Sequence, residues 1–133
     1  MIKFNIKLFT ISNAAPATQT KDFDCNGVEA LGIYMKTNGA NTSVPTLTVL
    51  ASPNDRTDLF EVPFDQTMKT GAAPAINQRA MAGAAISASA EYYFGALKWV
   101  PAEKMRASLT WITANLTADV WVMGFLSSQG GRY

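Results

Sequence analysis

Acid–base chemistry in this chain would have to rest on carboxylates, because the sequence contains no histidine. Histidine is the usual general base, proton shuttle and metal ligand near neutral pH. The single cysteine, Cys25, therefore has no imidazole to take its proton, and no second cysteine completes a CxxC pair. Cys–His and Ser–His–Asp mechanisms are excluded within the chain. Two acidic clusters remain, Asp22, Asp24 and Glu29, and further on Asp55, Asp58 and Glu61. The alternating acids of Asp22-Phe23-Asp24-Cys25-Asn26-Gly27 could offer oxygens to a calcium ion. They lack the Asp-x-Asp-x-Asp-Gly spacing of a calcium loop, and the plainer reading is a polar turn ahead of a strand. Gly130-Gly131 precedes no helix and makes no phosphate cradle. No cofactor and no metal are implied, and the expectation is a protein that binds instead of catalysing.

Aromatic residues are the other candidates. In Asp119 to Leu126, Val120, Val122 and Gly124 alternate with Trp121, Met123 and Phe125, so both faces of the segment are apolar. A sandwich strand with one solvated face shows a single apolar side. Three explanations stand for the second face: an arm of the same chain packed across it, a subunit or partner interface, or a carbohydrate-stacking platform. For an interface the candidates are Trp121, Met123 and Phe125, with Met68, Met81 and Ile86 from the segment that could reach them. For a stacking platform they are Trp99, Trp111 and Tyr92.

The elements that must position these residues are strands. Ile2 to Phe9 alternates, with Ile2, Phe4, Ile6 and Leu8 opposite Lys3, Asn5 and Lys7. Glu29 to Thr37 and Pro45 to Ala51, separated by the turn residues Asn38-Gly39-Ala40-Asn41, read as an antiparallel hairpin. Leu59 to Phe64 reads as an edge or bulged strand, because Pro63 lacks a ladder donor. Tyr92 to Trp99, Met105 to Thr113 and Asp119 to Leu126 complete seven candidates, and Met105, Ala107, Leu109 and Trp111 form one clear apolar face. Between them, residues 66–91 form an Ala-rich arm or loop: nine of the nineteen residues from Ala72 to Ala90 are alanine. Alanine favours a helical turn around Ala75 to Ala88, whereas Gly71, Pro74 and Gly83 interrupt one. Residues 127–133 read as a flexible C-terminal tail.

The expected fold is thus all-β, an antiparallel β-sandwich of about seven or eight strands with one long Ala-rich excursion. It fills a single domain over residues 1–133, one domain's worth of chain. Charged residues make up 16% and hydrophobic ones 48%, against roughly 25% charged in an average soluble domain. Such a surface is polar but uncharged, or partly hidden against a partner. With 11 Lys and Arg against 10 Asp and Glu, and no block of like charge, nucleic acid is not an expected partner. No apolar run is long enough for a membrane helix, and the alternating N-terminus is unlike a cleaved leader. A lone thiol fits folding in a reducing cytoplasm.

The second half of the chain resembles the closing strands of small jelly-roll virion proteins of tailed bacteriophages, of the capsid decoration or cement type. The resemblance lies in Tyr93-Phe94-Gly95-Ala96-Leu97, Val100-Pro101, Met105-Arg106-Ala107-Ser108-Leu109-Thr110 and Leu116-Thr117-Ala118-Asp119-Val120-Trp121-Val122. In that family a hydrophobic strand leads through a proline turn into an Arg-bearing strand and a Thr/Ala-rich hairpin. Leu47 to Asp58 is similar to its strand-then-polar-turn segment, while the family's Gly-Thr-Asn-Trp after that turn is absent. The resemblance implies a protein made in the bacterial host cytoplasm that attaches to the phage major capsid protein on the virion surface. It also implies a homo-oligomer, a trimer before a dimer.

Overall fold

The computed structural model describes residues 2–37, 45–52, 59–68, 75–78, 81–82, 91–98, 102–112 and 114–126. Alternation of apolar and polar residues translates directly into strands. Along β10 (Lys104–Trp111) Met105, Ala107, Leu109 and Trp111 are all buried, with Arg106, Ser108 and Thr110 outward. In β4 (Thr46–Ser52) Leu47, Val49 and Ala51 are buried in the same way. The other strands are β1 (Ile2–Ala14), β2 (Ala17–Asp24), β3 (Val28–Thr37), β5 (Phe60–Glu61), β6 (Phe64–Met68), β7 (Ala75–Gln78), β8 (Met81–Ala82), β9 (Glu91–Leu97) and β11 (Leu116–Leu126).

All pairings among these strands are antiparallel, and they make two sheets. Sheet A runs β1-β11-β3-β9-β6-β7, and sheet B runs β2-β10-β4-β5, with β8 also on the β4 edge. The order is that of a doubled ribbon: β1 pairs with β11, β2 with β10, β3 with β9 and β4 with β5. Rolling that ribbon brings β11 against β3 and β10 against β4. The result is a two-sheet antiparallel sandwich in which most consecutive strands lie in opposite sheets.

One hydrophobic core fills the space between the sheets. Ile33, Met35, Val120 and Val122 enter it from sheet A, and Leu47, Val49, Leu109 and Trp111 from sheet B. Trp111 is the largest side chain in the core, and its indole N–H donates to the Ala14 carbonyl at 3.0 Å. That bond joins the β1–β2 crossing to the β10–β11 crossing. Asn13 tightens the same junction: its N–H donates to Thr117 Oγ1 at 3.0 Å, and its carbonyl accepts from Asn115 Nδ2 at 3.2 Å. Asn13 has a φ of 48°, the left-handed region that Asn tolerates better than most residues. At the next crossing Gly27 takes a φ of 77°, which glycine meets without a Cβ clash.

Several sequence expectations need correction. Glu29 to Thr37 and Pro45 to Ala51 do not form a hairpin, since β3 lies in sheet A and β4 in sheet B. The same holds for β10 and β11, so the Thr/Ala-rich segment between them is a crossing and not a hairpin. Leu59 to Phe64 divides at Val62-Pro63: β5 closes an edge of sheet B and β6 joins sheet A. Pro63 therefore sits where no ladder donor is needed, and its carbonyl accepts from the Lys98 N–H at 3.0 Å. The helical turn expected around Ala75 to Ala88 is replaced, among its described residues, by β7 and β8. Pairing with β6 and β4 outweighs the modest helix preference of alanine. β2 escaped the hydrophobic signal because only Phe23 of its eight residues is buried, as suits an edge strand.

Candidate interaction surface

The outward face of sheet A follows from register, because directly opposed residues of an antiparallel pair share a face. Trp121 of β11 stands between Lys7 of β1 and Tyr34 of β3, and Tyr34 is paired in turn with Phe94 of β9. Met123 stands between Asn5 and Gly32, and Phe125 between Lys3 and Ala30. Val120 and Val122, one residue out of phase, are fully buried in the core. The two apolar faces of β11 are therefore real: one builds the core, and the other lies half-buried on the outside.

Local contacts link the side chains of this outer face. The Tyr34 and Trp121 rings sit 5.3 Å apart at a tilt of 44°. Lys7 Nζ lies 5.2 Å from the centre of the Trp121 ring and 3.1 Å from Asp119 Oδ1. One ammonium thus meets a π face and a carboxylate together, an arrangement that holds three side chains in one geometry.

Beside this cluster the surface opens into an apolar cavity of about 480 Å³. Ala30, Gly32 and Ala96 belong to it, together with the larger Phe94, Met123 and Phe125, while Lys3 and Asn5 are its polar members. Gly32 leaves room for its neighbour: a Cβ there would come within 2.6 Å of the far end of the Phe94 ring. Phe94 is itself 37% exposed. The volume falls in the range of small-ligand pockets, and also suits one or two large side chains of a docking protein.

Of the sequence candidates, Trp121, Met123 and Phe125 share this face. Met68 lies in β6, paired in register with Tyr93, and Met81 lies in β8, paired with Leu47 at the edge of sheet B. The structure therefore does not place Met81 in the sheet that carries Trp121, and Ile86 lies outside the described residues. The described strands of the Ala-rich segment extend the sheets sideways and do not lie across the face of β11. Trp111 is no stacking platform, because it is buried in the core. Trp99 lies outside the described residues. Gly32, Phe94 and the cavity were missed by sequence reasoning, since a hollow depends on small residues of one strand meeting large residues of its neighbours.

Asp22 and Asp24 lie on β2 opposite basic residues of β10. Asp22 faces Arg106 across β2 and β10, accepting at 2.7 Å from Nε and at 3.3 Å from Nη2. That hydrogen bond holds its carboxyl below the ordinary value. Asp24 is opposed by Lys104. Among the described residues no three carboxylate, thiol or imidazole groups gather as metal ligands, and Asp55 and Asp58 lie outside them. Cys25 is buried, and burial pushes its thiol up to about 12, with the charge of Asp24 adding to the shift. The thiolate that nucleophilic chemistry needs is not formed near neutral pH.

Fold and site together define an all-β sandwich carrying an apolar outer sheet face. No protein-family model matches the chain, and no curated protein matches it. Among solved structures it is similar to the SPBc2 prophage-derived protein YomS. The two share 14% identity over 92% of this chain and 94% of that one, with a TM-score of 0.53. At that identity the likeness establishes the fold.

Proposed function

We propose that this protein is a non-enzymatic structural component of a bacteriophage particle, a capsid decoration protein that binds the outer surface of the major-capsid shell and stabilises it. The observation that carries the reading is the outer face of sheet A, where Met123, Phe125 and Phe94 line a cavity beside the Tyr34–Trp121 ring pair. Apolar and aromatic residues of this kind are enriched where protein surfaces meet. The phage setting is supported by the nearly full-length likeness to a prophage-derived protein. A chain without histidine and with a single buried thiol suits a binding role. Many copies on one particle need only modest affinity each.

Co-sedimentation with expanded phage capsids tests this. Binding is expected for the wild-type chain and is expected to fall at least tenfold for Met123→Glu, which places a charge on the apolar face. A protein that sediments only with neck, tail or fibre assemblies would move it to another part of the virion. Absence of binding to any particle would overturn the reading.

A further inference from the structure

Sheet A ends at β1, whose far edge pairs with no described strand. Over its first half this strand is unusual in a second way. No residue before Leu8 is buried, whereas Leu8, Phe9 and Ile11 are. Ile6 is opposed by the buried Val122, and Ile2 by Leu126, so both isoleucines point to the core side of the sheet. Yet Ile2 is 55% exposed and Ile6 47%. Phe4, between them, packs partly against the core beside Gly124. A row of three apolar side chains thus borders an open row of backbone donors and acceptors. An unpaired strand edge is completed by another strand.

Edge strands are commonly guarded by outward lysines and bulges. Here Lys7 is turned back onto Trp121 and Asp119, and the register shift between Lys7 and Phe9 leaves the preceding stretch regular. That stretch is self-complementary. With a two-fold axis at Phe4, antiparallel pairing sets Ile2 opposite Ile6 of a second copy on one face and Lys3 opposite Asn5 on the other. Moving the axis to Asn5 would oppose Lys3 and Lys7, and moving it to Ile6 would run the pairing into the shift at Leu8.

We propose that β1 pairs antiparallel with β1 of a second copy across a two-fold axis at Phe4, joining two six-stranded sheets into one. Backbone bonds supply the contact, and the two Ile2–Ile6 pairs with the Phe4 pair supply the apolar seal. A contact this short belongs to the weak, concentration-dependent class of interfaces. This pairing yields a dimer, where the family resemblance implies a trimer before a dimer, and it stands or falls independently of capsid attachment.

Cysteine placement tests it in the full chain, where Cys25 is buried and does not compete. Opposed residues of an antiparallel pair have Cα atoms about 4.5–5.5 Å apart, within disulfide reach. Under oxidised glutathione, Phe4→Cys is expected to give a covalent dimer, while Asn5→Cys, which faces Lys3 and not itself, is expected to give none. In sedimentation equilibrium the wild-type mass should rise towards twice the monomer with concentration. Ile2→Lys with Ile6→Lys should weaken dimerisation at least tenfold at unchanged melting temperature, and Ile2→Lys with Ile6→Glu should restore it. A strictly monomeric wild type, a trimer mass, or equal cross-linking of both cysteine variants would overturn the proposal.

Discussion

Four single residues show how environment decides what a residue does. Cys25 would be the one thiol nucleophile, but burial raises it to about 12 and leaves it protonated. It should resist alkylation near neutral pH in the native protein and react fully once the chain is unfolded, which thiol titration with and without denaturant would check. Trp111 was a candidate platform by residue type, yet it is a core residue with a bonded indole. Trp111→Phe should cost about 1–3 kcal/mol, because the Ala14 carbonyl loses its donor. Chemical denaturation measures that loss. Gly124 contrasts with Gly32: a Cβ at 124 would run into the Ala30 carbonyl, backbone that cannot swing aside, whereas one at 32 meets only the end of the Phe94 ring. Gly124→Ala should therefore destabilise by about 1–3 kcal/mol, and Gly32→Ala should leave the fold intact while displacing Phe94. Denaturation midpoints would separate the two.

At the scale of elements, β2 is held little by burial and mainly by its neighbour. Its eight backbone positions all pair with β10, and two side-chain contacts add to the ladder, Thr18 and Thr110 hydroxyls meeting at 2.9 Å and the Asp22–Arg106 ion pair four residues away. The folded carboxyl of Asp22 lies below its ordinary value of 3.8. The ion pair's contribution is therefore complete above that value and disappears as pH falls through the lower, folded one. Asp22→Asn should lower the melting temperature slightly near neutral pH, and the difference from wild type should vanish in strong acid. A gap that persists there would mean the side chain acts through something other than charge. β1 shows the opposite case, where alternation does not bring burial with it. Ile2, Phe4, Ile6 and Leu8 do share a pattern, yet only Leu8 is buried. A register shift intervenes after Lys7, and Phe9 and Ile11 continue the core side beyond it.

For the whole molecule, chain composition and periodicity were enough to establish class. Alternation of period two in Met105 to Trp111 and Leu47 to Ala51 leads directly to the buried faces of β10 and β4, because a strand has only two sides. The second apolar face of Trp121, Met123 and Phe125 was legible for the same reason. What the residues alone could not decide was partnership between strands. A rolled ribbon pairs β1 with β11 and β2 with β10, segments about a hundred residues apart, and nothing local in Ile2 to Ala14 names its neighbour. The hairpin expected at 29–51 failed on that point: turn residues announce a change of direction, and whether the chain returns to its own sheet or crosses to the other depends on where the core lies. The cavity has the same origin. Ala30, Gly32 and Ala96 are unremarkable in sequence, and they make a hollow only because register sets them beside Phe94, Met123 and Phe125. The sequence by itself determined that the chain is all-β and that β11 has two apolar faces, since alternation is local. Only the tertiary structure decided which face meets the core and which strand edge stays open, since both depend on long-range pairing.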